Sequence, residues 1–224
     1  MNSIITNNIS KDINTMVFAS TNDAKLNELT AILNIYHNLH INANINQHKP
    51  FNIVSQSAYN IPTIDEPYNS FLENALHKAR HCSYHTSMPA LSDDSGICVI
   101  ELNHAPGVKS ARYAANNDTN TTSVNNNKKL IAAIKDYPHN LAYFYCCLAL
   151  VRFPDDPTPI IATGKIYGTI ITTPLGNNGH GYDPIFYIPS LGKTMAELDT
   201  AIKNQISHRA IAVKELYTKI LRQY

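Results

Sequence analysis

The sequence lacks several features that would assign it a function at once. Its apolar stretch from Ala142 to Val151 is about half the length a membrane-crossing helix needs. Its opening MNSIITNNISKDIN has neither the basic start nor the apolar stretch of a secretory signal. A soluble, cytoplasmic protein without membrane contact is therefore expected. There is no charge excess either: 18 Lys and Arg face 17 Asp and Glu, for a formal net charge of +1. Nothing draws such a chain toward nucleic acid or anionic lipid in general, so any phosphate must be held by a few placed cations. The four cysteines (Cys82, Cys98, Cys146, Cys147) form no CxxC pair. Buried, reduced thiols are the expectation, although Cys146 and Cys147, pointing to opposite faces of a strand, leave a metal-ligand reading open in principle. Glycine is scarce, and all 8 glycines lie within residues 96–192. That clustering marks the region where positive φ or close backbone approach is needed, unless these are ordinary turn glycines.

What is present describes a globular α/β protein. A hydrophobic fraction of 44% over 224 residues can bury a full core. No 20–50-residue repeat and no long Pro/Ser/Gly linker divides the chain. We expect a flexible tail over residues 1–14 and one two-lobed domain over 15–224. The Asn-rich stretches Asn2–Asn14, Asn34–Asn52 and Asn116–Asn127 read as tail and surface, with no function assigned. A strand at Met16–Ala19 runs into Ser20–Lys25, and a helix follows with Leu26, Leu29, Ile32 and Leu33 inward. A second helix from Ser70 buries Phe71, Leu72, Ala75, Leu76, Ala79 and Cys82. Asn74, Lys78, His81 and His85 fall on its polar face. A strand at Pro89–Ser92 is expected to end in an acidic turn, Asp93–Gly96, before another strand over Ile97–Leu102. Further strands read at Leu141–Val151 and Ile160–Ile171. A last helix is capped by Ser207 and packs through Ile211, Val213, Leu216 and Ile220. Such irregular alternation fits a mixed sheet better than a strict βαβ repeat.

Six clusters could carry chemistry. Ser20, Thr21, Asn22, Asp23, Ala24 and Lys25 lie between strand and helix, where free N–H groups, the helix dipole and a lysine favour an anion. Simple N-capping beside a solvated lysine is the plainer alternative. Asp93 and Asp94 at a strand end, with Asp65–Glu66 upstream, offer hard oxygen ligands suited to magnesium. Two acidic surface turns would look the same. Lys78 alone reads as solvated, and so do His77, His81 and His85, which have no nearby cysteine and no HExxH pattern. Leu191–Thr194 looks like the end of a phosphate-binding loop, but Tyr187 occupies the position that loop needs for glycine. Gly176–Pro184 can offer backbone donors and an aromatic face to a base. Ser207-His208-Arg209 opens a helix with two basic side chains.

Together these segments resemble the inosine triphosphate pyrophosphatase family. The matching stretches are Ala19–Lys25, Phe71–Ala75 with Lys78-Ala79, Ser92–Gly96, Pro106–Tyr113, Gly179–Pro184, Gly192–Leu198 and Ile206–Arg209, spanning about nine-tenths of the chain in order. The resemblance implies an elongated, two-lobed mixed α/β fold with a central cleft, a homodimer, and Mg²⁺-dependent hydrolysis of ITP, dITP or XTP to monophosphate and pyrophosphate. By that resemblance Ser20 to Lys25 and Lys78 would hold the triphosphate. Asp94 would be the catalytic carboxylate and a metal ligand, partnered by Asp65, with Glu66 second for that role. Ser95, His180, Gly181, Tyr182, Asp183, Lys203, His208 and Arg209 would line the nucleoside pocket.

This sequence departs from the family pattern at three places. His180 stands where Phe is usual, Ile100 where Asp is common, and Asn103-His104 where Gly is common, which puts a positive-φ turn there in question. Two other functions compete. One is a pyrophosphatase for modified pyrimidine nucleotides; the other is a non-catalytic nucleotide-binding module, against which the acidic pair and the two lysines argue.

Overall fold

The computed structural model describes residues 13–42, 49–115 and 121–223. Most of the expected tail, residues 1–12, lies outside them, and Ile13 is already buried in the core.

One seven-stranded mixed sheet organises the chain in the order β2-β1-β3-β4-β5-β6-β7. Its strands are β1 (Thr15–Phe18), β2 (Asn52–Ser55), β3 (Ala90–Val99), β4 (Leu141–Val151), β5 (Ile160–Ile170), β6 (Phe186–Ile188) and β7 (Lys193–Thr194). β1 runs parallel to β2 and β3, and from β3 onward every pairing is antiparallel. The helices are α1 (Asp23–Asn42), α2 (Phe71–Thr86), α3 (Ser123–Ile134), α4 (Thr200–Ile206) and α5 (His208–Gln223).

Side-chain alternation along the three long strands divides the core. Leu91, Cys146, Leu148 and Leu150 point to the face covered by α1 and α5, where they meet Leu29, Ile32, Val213 and Leu216. Ala90, Cys147, Ala149 and Val151 point to the opposite face, where α2 lays Ala75, Ala79 and Cys82 against them. At their other ends the same strands support a third cluster with Ile185, Phe186, Met195 and Leu198, covered by Leu130 and Ile134 of α3. The three clusters lie along one continuous sheet.

Gly164 of β5 sets how closely α5 can lie. A Cβ there would collide with the His208 carbonyl oxygen and the Ala212 amide nitrogen. The first turn of α5 therefore sits directly on the sheet.

Four expectations are corrected. Asp93–Gly96 is not a turn but the middle of β3, in register with Tyr145–Leu148 of β4. The two faces of α2 are partly exchanged, since Leu72 is exposed and Asn74 is fully buried. Asn74 closes the entry to that helix, accepting from the Tyr68 amide and donating to the Tyr68 carbonyl. On α5, Ile211 is exposed, and Ala210, Ala212 and Tyr217 take up the packing beside Val213, Leu216 and Ile220. Finally, Asn103 and His104 do adopt positive φ, at 51° and 66°, so the turn forms without glycine.

Candidate active site

Because β3 runs straight through the acidic pair, Asp93 and Asp94 leave the strand on opposite faces. Each has a different set of partners.

Asp94 faces α2. Lys78 Nζ donates to Asp94 Oδ1 at 3.2 Å, to the Asp93 carbonyl at 2.9 Å and to Glu66 Oε1 at 2.6 Å. One ammonium thus joins two carboxylates, and Glu66 is further held by Arg112. Burial pushes the Asp94 carboxyl up to about 6, Lys78 only partly offsets this, and the Glu66 charge adds to it. Burial alone would lower the Lys78 ammonium, but Asp94 and Glu66 more than reverse that and raise it. Burial acts upward on Glu66 too, yet Lys78 brings its carboxyl below the usual range. Lys78 is therefore a half-buried, engaged cation and not the solvated lysine of an exposed helix face. Of the two upstream carboxylates, Glu66 is the one turned toward Asp94; Asp65 is exposed.

Asp93 faces α1 and α5, and its side chain is wholly buried. Lys25 Nζ lies 2.8 Å from Oδ1 and Arg209 Nε lies 2.7 Å from Oδ2. Burial alone would raise this carboxyl, but Arg209 and Lys25 outweigh it and hold it well below the ordinary value. Arg209 is itself buried and also reaches Glu28 Oε2 at 2.5 Å and Ser95 Oγ at 3.2 Å.

A cavity of about 570 Å³ opens on this face, large enough for a nucleoside. Asn22, Ala24, Lys25, Ser95, His180, Gly181, Tyr182, Asp183, Lys203, His208 and Arg209 all line it, so the structure gathers these expected residues in one place. Phe144 and His208 form a stacked pair in the cavity wall, with ring centroids 5.0 Å apart and planes 17° from parallel. Burial, and then the Arg209 charge, push the His208 imidazole well below its usual value, so it is neutral near pH 7. Its Nδ1 is buried without a hydrogen-bond partner. Lys203 also lines the cavity, 2.6 Å from Asp183 Oδ2. Gly179, at φ +90°, passes so close that any side chain would collide with both members of that pair.

The remaining expected residues take other places. Ser20 Oγ accepts from the Asn22 amide, and Asn22 Oδ1 accepts from the Lys25 amide, so these side chains do cap α1. Thr21 and Asp23 are exposed and do not line the cavity. Tyr182 is buried, and its hydroxyl donates to the Ser110 carbonyl at 2.8 Å. Asp94, Glu66 and Lys78 lie outside the cavity, on the far face of β3, where Lys78 donates to the Asp93 carbonyl. Lys25 is near enough to act electrostatically on Asp94 and Glu66 as well as Asp93.

Several residues had no expected role. Glu28 adds a charge beside Arg209, and Phe144 supplies the wall. Asp93, expected with Asp94 as an oxygen ligand for magnesium, is instead taken up by Lys25 and Arg209. Asn126 accepts from the Ala114 amide and donates to the Ala111 carbonyl, while Asn127 donates to the Gly181 carbonyl at 3.0 Å. The two asparagines, from a stretch that reads as surface, tie down the loops on either side of the cavity.

A divalent cation fits beside Asp94. Asp94 Oδ2 is buried and has no hydrogen-bond partner among the described residues, and the Glu66 carboxylate shares the same lysine. Among the described residues no group of three or more His, Cys, Asp or Glu side chains converges. Two carboxylates, with water and phosphate oxygens completing the shell, are a donor set that suits Mg²⁺.

The Ham1 family model matches residues 16–219. The chain is 51% identical over 177 residues to a dITP/XTP pyrophosphatase of Neisseria meningitidis serogroup B, covering 78% of this chain and 88% of that protein. It is 45% identical over 205 residues to a dITP/XTP pyrophosphatase of Burkholderia pseudomallei, covering 92% of both. Among solved structures, a HAM1 protein from Coxiella burnetii superposes with a TM-score of 0.81 at 39% identity, covering 93% of this chain and 98% of that one. The Staphylococcus aureus Ham1 protein gives 0.77 at 30% identity, covering 94% and 100%. A matched family model across most of the chain, with buried carboxylates and cations placed on both faces of one strand, makes this chain a member of the Ham1 family.

Proposed function

We propose that this protein hydrolyses non-standard purine nucleoside triphosphates, ITP, dITP and XTP, to the monophosphate and pyrophosphate, and so cleanses the nucleotide pool. The observation that carries the reading is the convergence on β3: Asp94 with Lys78 and Glu66 on one face, Lys25 and Arg209 at a nucleoside-sized cavity on the other. The curated relatives named as dITP/XTP pyrophosphatases support the substrate class.

The base occupies the cavity against the Phe144–His208 wall, and the triphosphate runs past the α1 N-terminus toward Lys78. Asp94 accepts a proton from the attacking water as its oxygen bonds to the α-phosphorus. The bond from that phosphorus to the α–β bridging oxygen breaks, and pyrophosphate leaves with its charge met by Lys25 and Lys78. Asp94 and Glu66 would hold Mg²⁺, which when bound supplies neutralisation of phosphate charge and a more acidic water. Specificity follows from donor polarity. Lys203 and the first-turn N–H groups of α5 suit the C6 oxygen of hypoxanthine or xanthine, whereas the adenine amino group would meet donor against donor. Such a mismatch lowers kcat/KM for ATP by up to roughly 10⁴-fold. The family resemblance also supports a homodimer working in the cytoplasm. No helix among the described residues is long and apolar enough to cross a membrane.

Pyrophosphate release from a panel of ITP, XTP, ATP, dUTP and methylated nucleotides, with and without Mg²⁺, tests the proposal. ITP and XTP are expected to be cleaved fastest, and only with the metal. Equal rates for ATP and ITP would defeat the donor account, dUTP preference would favour the pyrimidine alternative, and no release from any nucleotide would favour a binding module.

The pH profile provides a second check. Asp94 must be ionised to accept a proton, and its carboxyl lies at about 6. At limiting metal, kcat/KM is therefore expected to be level above that pH and to fall about tenfold per unit below it. Raising Mg²⁺ competes with the proton and moves the limb to lower pH. A limb that ignores metal concentration would separate Asp94 from the cation.

A further inference from the structure

We infer that Asp93, the residue before the reacting carboxylate, is a positioning residue that couples the polyphosphate grip of Lys25 to the nucleoside-side grip of Arg209. The inference rests on the proposed function, because it takes Lys25 and Arg209 as substrate-facing cations.

Asp93 cannot touch the substrate. Its side chain has no exposure, and it contributes nothing to the cavity wall. Its oxygens are occupied from four directions: Oδ1 by Lys25 Nζ and Ser95 Oγ, each at 2.8 Å, and Oδ2 by Arg209 Nε at 2.7 Å and the Cys146 thiol at 3.5 Å. The two cations come from different elements. Lys25 is in the first turn of α1, Arg209 in the first turn of α5, and both line the cavity.

A second carboxylate closes the circuit. Arg209 Nη1 pairs with Glu28, which lies three residues beyond Lys25 on α1 and hence on the same face. The charges alternate around a ring, Lys25–Asp93–Arg209–Glu28, that begins and ends on one helix. Ser95 braces it, donating to Asp93 while accepting from Arg209 Nη2 at 3.2 Å. A phosphate that draws on Lys25 thereby changes the field at Asp93, and Arg209 reads that change through the opposite oxygen. In low-dielectric surroundings such a shared counter-ion links its two partners strongly. Lys25 and Arg209 are thus set by one anion on β3, and neither end of the substrate binds independently of the other.

The test uses two partial ligands as inhibitors of ITP hydrolysis: inosine, which has no phosphate, and inorganic tripolyphosphate, which has no base. Asp93→Asn is expected to weaken inhibition by both, each by about fivefold or more, with the melting temperature recorded alongside. Loss of one alone, or a lower melting temperature with both inhibition constants unchanged, overturns the coupling. Since Asp93→Asn leaves the buried Arg209 with Glu28 as its remaining carboxylate and can fail to fold, a second measurement uses the wild-type chain. Tripolyphosphate without nucleoside is expected to shift the Arg209 Nε–H resonance, and Lys25→Met to abolish the shift. No shift, or the same shift in Lys25→Met, overturns the coupling. If Lys25→Met leaves tripolyphosphate inhibition itself unchanged, the phosphate role of Lys25 has failed and the coupling falls with it.

Discussion

Asp94→Asn is expected to lower kcat by roughly 10²–10⁴-fold, the range removed with a positioned general base, while the fold survives. The local energetics explain why structure and activity separate here. Asp94 is buried, its Oδ2 is unpartnered, and its carboxyl sits at about 6, so ionising it in the metal-free protein works against folding. An amide of the same shape removes that penalty, and Lys78 keeps Glu66 and the Asp93 carbonyl as acceptors. The melting temperature of the metal-free variant should therefore hold or rise. Pyrophosphate release and a thermal melt measured on the same sample decide it. Activity within tenfold of the parent would remove Asp94 from the chemistry, and a collapse in stability would make it a structural residue.

Arg209→Ala is expected to be the most destabilising single change. The guanidinium is buried among Asp93, Glu28 and Ser95, and removing it leaves Asp93 as an interior anion with Lys25 as its remaining cation. Breaking a buried pair from one side costs about 3–5 kcal/mol. For a chain of this size that corresponds to a fall in Tm of roughly 6–20 °C. Arg209→Lys keeps the charge but not the fork that meets three partners, so an intermediate loss is expected. Calorimetry reads both. A shift of under about 2 °C for Arg209→Ala would mean that the ring of charges contributes little to holding α1 and α5 on the sheet.

Much of the fold was legible because its elements carry regular signals. The strand at β4 matches its expected span of Leu141–Val151, and α2 follows Ser70, where the second helix was expected to begin. The acidic pair shows where local reading stops. Two carboxylates followed by Ser-Gly resemble a turn, and only pairing with the whole of β4 keeps them in a strand. That tertiary constraint sends neighbouring aspartates to opposite faces, so the role of Asp93 could not be seen before the register was known. Lys78 failed for a similar reason. Helical periodicity places it beside Asn74, and both seem solvated until Tyr68, Glu66 and β3 cover that face. Asn126 and Asn127 were hidden by composition, since asparagines in an Asn-rich stretch give no sign of which are buried. The cavity residues were found by family resemblance and by glycine spacing around Gly179, not by periodicity.

The four cysteines have a practical consequence. All are reduced and buried, and Cys146 lies against Asp93, where burial and then that carboxylate push its thiol far above the ordinary value. Alkylating reagents attack only thiolates they can reach. Cys146 is thus a built-in reporter, labelled only when α5 lifts away from the strand beneath it. Its modification rate in dilute iodoacetamide measures how often that gap opens, and ligands that close the gap should slow the labelling in proportion to their occupancy.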